Sequence, residues 1–215
     1  MVDASPSDLK NSSVLKQRVS KVLEERLVAT SSKGAAANRP SLFETITQPD
    51  QTYFAVPSVS SEKRNYIPIA ILPKDVILNN ALFSISSSDL SLFAILESRP
   101  FTVWVQTVSS RLKSDYQLSS TSVYNTFPFP KLSRLQTSEL IDYAQEILKI
   151  REKYNQVNLG DLYDPALMPL ELQKMHSKLD ASVLRTFGMK QNASDPDVMS
   201  VLFALYSRAS EATLL

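Results

Sequence analysis

The sequence has no cysteine, a single histidine and only three glycines in 215 residues. Without cysteine there are no disulfides and no thiolate metal sites, and one histidine argues against a histidine-based zinc site. The three glycines, Gly34, Gly160 and Gly188, are far apart. A dinucleotide-binding fingerprint or a P-loop needs several glycines close together, because bulkier residues block the approach of the backbone to phosphate. Nucleotide-dependent chemistry within the chain is therefore not expected.

Long apolar runs are also missing, and the charges nearly balance. No stretch of about 18 apolar residues is present, so no membrane span is predicted. The N-terminal segment is polar and lacks the apolar core of a signal peptide, which together with the absence of cysteine predicts a cytoplasmic protein without a membrane partner. The formal net charge of +1 is lower than free-standing nucleic-acid binders usually carry. Composition alone therefore gives little support for DNA binding.

Hydrophobic patterning predicts an α+β protein. Residues 1–40 are interpreted as an amphipathic helix over residues 9–29, followed by a small polar linker. Residues 41–130 contain β-branched and aromatic runs punctuated by proline, which predict a β-rich module with a short helix at Ser88–Ser98. Periodicity does not decide whether Phe101–Val108 is strand or helix.

The sequence FPFP at Phe127–Pro130 marks the end of the β-rich module, because its two prolines interrupt both helices and central strands. Residues 131–215 are then predicted to form an all-helical C-terminal subdomain. Three helices are expected there, each opened by a capping residue or a first-turn proline: at Thr137, at Pro169 and at Asp195–Pro196.

Three segments together resemble the MmeI-like family, type IIL/IIG restriction–modification enzymes that join an endonuclease, a DNA adenine methyltransferase and a recognition domain in one chain. The segments are VSSEKRNYIPIAILPKDVI (Val59–Ile77), VWVQTVSSRLKSDYQLSSTSVYNTFPFP (Val103–Pro130) and LGDLYDPALMPLELQKMHSKLDASVLRTFG (Leu159–Gly188). Each motif is weak alone, but their order and spacing are specific. The resemblance implies a target recognition domain followed by a helical tail, with double-stranded DNA as the partner.

The chain departs from the family pattern at a few positions and lacks catalytic motifs. Ser110 stands where glycine is expected, Gln117–Leu118 replaces a basic–aromatic pair, and Phe129 replaces tryptophan. The nearest string to the methyltransferase motif NPPY begins at Asn125 and is interpreted as a turn into a proline break. No PD-(D/E)xK nuclease string is present.

The resemblance therefore implies that this chain is not itself an enzyme and holds no cofactor. The parent protein is expected to be a site-specific adenine methyltransferase with endonuclease activity. Both activities would lie upstream of residue 1, with S-adenosylmethionine and Mg²⁺ bound there. The methyltransferase domain of the same parent chain is then a second partner beside DNA.

The segment RLKSDYQ offers the candidates for reading bases. If it is extended, Lys113, Asp115 and Gln117 point to the same side, because side chains alternate along a strand. Lysine donates to guanine O6 and N7, aspartate accepts from cytosine N4, and glutamine pairs with adenine N6 and N7. Lys113 and Asp115 could thus read the two halves of one G·C pair. From the residues alone a solvated charge pair is the favoured interpretation, and the family resemblance reverses that preference.

Hydroxyl and cationic side chains nearby are the candidates for phosphate contacts, since both groups donate to phosphate oxygens. They are Ser60, Ser61, Lys63, Arg64, Arg99 and Arg111. An ordinary polar turn explains Ser60–Arg64 equally well, and Arg99 could cap the segment before the proline that follows it.

Aromatic residues and the one histidine are given structural roles. Tyr124, Phe127 and Phe129 lie beside prolines and are predicted to pack the β-rich module onto the helices. Trp104 is predicted to be in the core. His176 is expected at a surface or boundary position without a catalytic role, since no nucleophile is visible around it.

Two alternative functions remain open. Three amphipathic helices in a chain of near-neutral charge also suit a protein-interaction module. A free-standing specificity subunit of a multi-subunit restriction system is the other alternative. Such subunits usually carry two recognition domains separated by long helices, whereas this chain has one β-rich region and no repeat.

Overall fold

The computed structural model describes residues 5–28, 38–43 and 47–213. Its backbone divides into two compact units, Met1–Thr47 and Gln48–Leu215. Both helices and short antiparallel sheets are present, which confirms the predicted α+β class. In the described part of the chain, no helix is both long enough and apolar enough to cross a bilayer.

The described residues of the first unit contain two helices, α1 (Pro6–Asn11) and α2 (Ser13–Leu27). The prediction of one helix over residues 9–29 is therefore wrong at Ser12, where the backbone is extended. The Ser12 side chain accepts the backbone N–H of the third residue of α2 at 3.3 Å. Serine favours such capping over helix continuation, which is why the chain restarts there. Residues 29–37, which include most of the predicted linker, lie outside the described residues.

Over residues 48–213, the second unit contains six short strands in two antiparallel sheets. In chain order the strands are β1 (Tyr53–Pro57), β2 (Val59–Ser60), β3 (Ala70–Leu72), β4 (Leu82–Ile85), β5 (Ser110–Leu112) and β6 (Asp115–Gln117). One sheet has the order β3–β1–β4 and the other β2–β6–β5. Strand β1 is buried at four of its five positions, so it appears in the sequence as a continuous apolar run rather than an alternating one.

The same described residues also form six helices and a π-helical turn. They are α3 (Leu90–Leu96), α4 (Arg99–Val108), the π-helical turn Ser120–Tyr124, α5 (Arg134–Lys153), α6 (Leu159–Leu162), α7 (Leu170–Thr186) and α8 (Asp195–Thr213). We refer to α5–α8 as the helical tail. The ambiguous stretch Phe101–Val108 is helical, and the proline in the first turn of α4 suits that helix. Five consecutive buried residues from Phe101 onward hid its helical period.

The tail helices follow the predicted order with one corrected start and one addition. Helix α5 begins three residues before the predicted cap Thr137, because Ser133 and Gln136 form a reciprocal capping box. Helix α7 begins after Pro169, as predicted, and Gly188 beyond its end has φ 72°. Helix α6 is too short to have given a periodic signal.

One hydrophobic core runs through both the strand-bearing half and the helical tail. Helix α5 packs between α3 and α7. Trp104 is 1% exposed and donates to the Val123 carbonyl at 3.1 Å, which confirms its predicted place in the core. The ring of Phe127 contacts Phe101 and Trp104 of α4 and Phe187 just beyond α7. Phe127 thus packs the strand-bearing half onto the helical tail, as predicted.

Candidate nucleic-acid interface

A tight β-hairpin carries the side chains predicted to read bases. Strands β5 and β6 are joined by only two residues, Lys113 and Ser114, and Leu112 lies opposite Asp115. Lys113 has φ 58°, the left-handed region that two-residue hairpin loops use and that lysine seldom adopts. The hairpin therefore presents Lys113 as an exposed cation at its tip.

The hairpin corrects the geometry inferred from an extended segment. Lys113 lies in the turn and not in a strand, so strand alternation does not place it beside Asp115 and Gln117. Those two do share one face of β6, while Tyr116 between them is 7% exposed and lies on the other face. The prediction that all three point the same way by alternation is wrong, and their role in reading bases stays a prediction.

Asp115 and Gln117 are each held by one hydrogen bond and keep polar atoms free. Asp115 Oδ1 accepts the Glu62 backbone N–H at 3.3 Å, and Gln117 Oε1 accepts from the Ser110 hydroxyl at 3.3 Å. Within residues 47–213, Asp115 Oδ2 and the Gln117 amide nitrogen have no hydrogen-bond partner. The face of β6 thus offers one carboxylate oxygen and one amide donor to a ligand.

Arg111 braces the hairpin from its other face. Its guanidinium lies 4.1 Å from the centre of the Tyr116 ring and donates to the Ser114 carbonyl at 2.8 Å. A carboxylate oxygen of Glu62 lies 3.7 Å away, and both charged side chains are nearly half exposed. The acidic side chain of Glu62 repels phosphate. The predicted phosphate contact of Arg111 would have to compete with this carboxylate.

Two of the residues predicted to contact phosphate, Ser60 and Arg99, are poorly placed for that role, which stays a prediction. Ser60 is completely buried, and its hydroxyl oxygen makes no hydrogen bond, so it cannot reach a phosphate on the surface. Arg99 forms an ion pair with Asp195 and donates to the Ala193 carbonyl at 2.9 Å. These bonds connect the start of α4 with the start of α8 and use Nε and Nη2 of the guanidinium.

Ser61, Lys63 and Arg64 lie in the turn that follows β2. Lys63 is exposed, and its backbone N–H donates to the Ser61 hydroxyl at 3.4 Å. Arg64 is half-buried, and its Nη2 donates to the carbonyl of Gly160 in α6 at 3.1 Å. Of the three, Lys63 is the most accessible to a phosphate, and the role of all three stays a prediction.

A cluster of ionisable side chains that sequence analysis missed lies buried where α3 meets the helical tail. Glu97 is fully buried and forms an ion pair with Arg151 at 2.7 Å. Arg151 also donates to the Ile69 carbonyl at 2.8 Å and to the Tyr163 hydroxyl. Burial raises the pKa of the Glu97 carboxyl, and the Arg151 guanidinium and the Ile69 backbone N–H oppose that rise.

His176 belongs to the same cluster, so the expectation of a surface or boundary position is wrong. It is fully buried on α7, where its Nε2 lies 2.7 Å from the Tyr163 hydroxyl and its Nδ1 lies 3.1 Å from the Glu97 carbonyl. A carbonyl only accepts, so Nδ1 carries the proton and Nε2 accepts from tyrosine. Burial, and then the charge of Arg151, lowers the pKa of His176 to about 3. The ring is therefore a neutral structural element.

The string that begins at Asn125 has a structural explanation. The Asn125 N–H donates to the Ser120 carbonyl at 2.8 Å and ends the π-helical turn. Asn125 also lines a mainly apolar cavity of about 300 Å³ between β4 and this turn. Over the described ranges, no group of three or more histidine, aspartate or glutamate side chains is placed to hold a metal ion.

Comparison with known proteins gives consistent matches over nearly the whole chain. The family model described as MmeI, target recognition domain, matches residues 1–131, and the model described as MmeI, C-terminal domain, matches residues 133–214. DNA methyltransferase A of Bacillus subtilis (strain 168) is 37% identical over 211 residues. A chain from the structure of the type IIL restriction–modification enzyme MmeI in complex with DNA aligns with a TM-score of 0.92 at 35% identity.

The matches cover nearly all of this chain but only part of each relative. Each aligned region spans 97% of this chain, but only 24% of the Bacillus subtilis protein and 28% of the MmeI chain. The chain therefore corresponds to about a quarter of the length of either relative.

Proposed function

This chain belongs to the MmeI family, and from that premise we propose that it recognises a specific sequence in double-stranded DNA on behalf of a larger restriction–modification enzyme. The observation that carries the proposal is the exposed hairpin with Lys113 at its tip and Asp115 and Gln117 on one face of β6. Hydrogen-bond donors and acceptors that are both accessible and fixed on strands suit the edges of base pairs in the major groove.

The three side chains differ in what they can read. Lys113 can donate to guanine O6 and N7, Asp115 can accept from cytosine N4, and Gln117 can pair with adenine. Lys113 lies in the two-residue turn and Asp115 follows that turn directly, so they can address the two bases of one G·C pair. The bond from Glu62 to Asp115 Oδ1 leaves the other oxygen for a base.

Contacts with phosphate would come from the surface next to the hairpin. Lys63 is exposed there, and Ser61 and Arg64 lie in the same turn. Arg111 joins them if phosphate displaces the Glu62 carboxylate, which lies 3.7 Å from it. Such contacts position a protein on DNA without reading sequence.

The larger enzyme would supply the chemistry. Its relatives are named as a DNA methyltransferase and a restriction–modification enzyme, and this chain spans only about a quarter of either. We expect an adenine-specific methyltransferase and an endonuclease in the other domains, with S-adenosylmethionine and Mg²⁺ bound there. The methyltransferase domain would form the opposite wall of the DNA cleft, so this chain alone should bind weakly.

Selection from a random duplex library with the 215-residue chain tests the proposal. We expect a short motif to be enriched over several rounds, with binding that weakens as the salt concentration rises. Single-stranded DNA of the selected sequence serves as the competitor control and should displace the duplex poorly. Binding to all duplexes with equal affinity would contradict sequence recognition, and the absence of any binding in low salt would contradict a DNA interface.

A further inference from the structure

The segment Ser61–Ile69, which we call the tether segment, connects the hairpin with the helical tail. Four hydrogen bonds hold the segment from Arg64 onward. Three of them involve residues of the tail: Arg64 Nη2 donates to the Gly160 carbonyl (3.1 Å), the Tyr66 hydroxyl donates to Asp180 Oδ2 (2.7 Å), and Arg151 Nη1 donates to the Ile69 carbonyl (2.8 Å). The fourth joins the Ile69 N–H to Oε1 of the buried Glu97 (2.8 Å). The tail residues belong to three different helices, α6, α7 and α5. The tail therefore contributes three of the four bonds that hold this part of the segment in place.

The N-terminal half of the tether segment contacts the hairpin directly. The Glu62 N–H donates to Asp115 Oδ1 at 3.3 Å, and the Glu62 carboxylate lies 3.7 Å from Arg111. Just before the segment, Ser60 of β2 pairs with Tyr116 of β6. The carboxylate of Asp115 therefore accepts from a backbone group in a segment that is anchored by bonds between residues 28 to 114 positions apart in the sequence.

We propose that the tether segment is a positioning element for base recognition. The bonds of Arg64, Tyr66 and Ile69 hold Glu62 against Asp115, and Glu62 in turn fixes the direction of the carboxylate that meets a base. This inference rests on the proposed function. It gives Tyr66 and Gly160 a part in sequence specificity, although neither residue makes a hydrogen bond to the hairpin. Tyr66 donates to Asp180, and Gly160 accepts from Arg64.

The physical reason is that hydrogen-bond discrimination between bases depends on angle as well as distance. A bond weakens steeply as its angle closes, so a carboxylate that rotates freely discriminates poorly between a correct and an incorrect donor. Binding residues need support from neighbours that lock their rotamers. Glu62 provides that support for Asp115, and the anchors on the tail provide it for Glu62.

The anchor at Tyr66 can be removed without altering the shape of the site. Tyr66 is 9% exposed, and its ring stacks on His176 at a centroid distance of 4.1 Å. Asp180, whose pKa burial raises to about 6, also accepts the Arg99 N–H at 2.7 Å and keeps that bond when the tyrosine hydroxyl is lost. Tyr66→Phe therefore removes one anchor and preserves the stacking.

The tail offers a matched control. The Tyr154 hydroxyl donates to Glu171 Oε1 at 3.0 Å, a tyrosine–carboxylate bond between α5 and α7 that does not involve the tether segment. Tyr154→Phe therefore makes the same chemical change within the tail. Gly160→Ala is the second test variant, since a Cβ there would lie 3.2 Å from Arg64 Nη2 and would require the guanidinium to shift relative to the Gly160 carbonyl.

Two measurements on the 215-residue chain test the proposal, the first of them without DNA. The backbone order parameter of Glu62, measured by ¹⁵N relaxation, should fall below the rigid value of about 0.85 in Tyr66→Phe and Gly160→Ala, and should stay at the wild-type value in Tyr154→Phe. In the second, affinities for the selected duplex and for one altered at a single base pair give a discrimination ratio. One base contact typically contributes roughly 5- to 150-fold, and we expect about a threefold or larger loss at one base pair only.

Equal order parameters and equal discrimination in Tyr66→Phe and Tyr154→Phe would overturn the proposal. A loss of affinity that is the same for every duplex would overturn it too, because a merely structural role predicts that pattern. Unfolding midpoints recorded in parallel distinguish a variant that has lost its fold from one in which only Glu62 has lost its fixed position. If Tyr66→Phe does not fold, Gly160→Ala decides the question. If the wild-type chain shows no discrimination, the proposed function fails, and the order parameters alone then decide whether the tail positions Glu62.

Discussion

Replacing Arg151 by methionine is the sharpest test of how the two halves of the second unit are joined. Arg151 lies on α5 of the helical tail and is 9% exposed at its side chain, and its partner Glu97 is fully buried at the end of α3. The substitution removes the ion pair at 2.7 Å and the bond to the Ile69 carbonyl. It leaves a carboxylate in the core whose remaining donor is the Ile69 N–H at 2.8 Å.

The expected cost follows from burial and not from Coulomb attraction alone. Two unit charges at this separation attract by roughly 6 kcal/mol at an effective dielectric constant of about 20. Desolvation offsets most of that gain, so the intact pair contributes little in net terms. Removing one partner leaves the other charge uncompensated and costs about 3–5 kcal/mol. At roughly 2–4 °C per kcal/mol for a unit of this size, the unfolding midpoint should fall by about 6–20 °C.

Urea and thermal unfolding at pH 7 measure this change, with Lys149→Met as the control. Lys149 pairs with Glu146 on the exposed face of the same helix, where such pairs contribute about 1 kcal/mol or less. The double variant Glu97→Gln with Arg151→Met should recover part of the loss, since a glutamine oxygen can still accept the Ile69 N–H. In the single variant the loss should shrink as the pH falls, because Glu97 then takes up a proton. A cost for Arg151→Met no larger than that of Lys149→Met would refute the reasoning.

Three further predictions concern exposed charge, backbone and acid stability. Lys63→Ala should weaken DNA binding equally for all sequences and flatten the dependence of log affinity on log salt by about one unit; a change in base preference would contradict a phosphate role. Gly188→Ala should cost about 1 kcal/mol in urea unfolding, because Gly188 has φ 72° and a Cβ would meet no neighbour that offsets the strain; an unchanged midpoint would contradict this. His176 has its pKa lowered to about 3, so it stabilises the fold fully above pH 6.5 and loses that contribution as the pH falls towards 3. The variant His176→Gln has no such pH-dependent contribution, so the difference in free energy of unfolding between wild type and variant should narrow as the pH falls. The raised pKa of Asp180 gives a stability that changes with pH in the opposite direction, but it does so in both proteins and cancels in the difference.

The sequence predicts the elements whose signals are local. The cap and first turn of α7 were predictable because Pro169 and Gly188 mark helix ends by fixed backbone preferences. The core position of Trp104 was predictable from its size and apolar character. The start of α5 was missed because Ser133 competes with Thr137 as a capping residue, and only the reciprocal bond with Gln136 decides between them.

The candidate site was less predictable, because its geometry depends on contacts distant in the sequence. A two-residue turn at Lys113 needs a left-handed lysine, which no propensity favours, so an extended strand was the natural expectation. Ser60 is polar but buried, and Arg99 is basic but paired with a residue 96 positions away. Residue type alone cannot distinguish such groups from free surface donors. The family resemblance, by contrast, is what directs the prediction of base contacts to the hairpin segment, since no local pattern does.

Exchanging the two charges of the hairpin tests the central claim most directly. Wild type and the double variant Lys113→Glu with Asp115→Arg are each subjected to selection from a random duplex library under identical salt. We predict that the variant enriches a motif that differs from the wild-type motif at one base pair, with a preference of about 1–3 kcal/mol reversed there and all other positions unchanged. An unchanged motif, or a loss of binding that is uniform across sequences, would contradict the assignment of this hairpin as the reader of the DNA sequence.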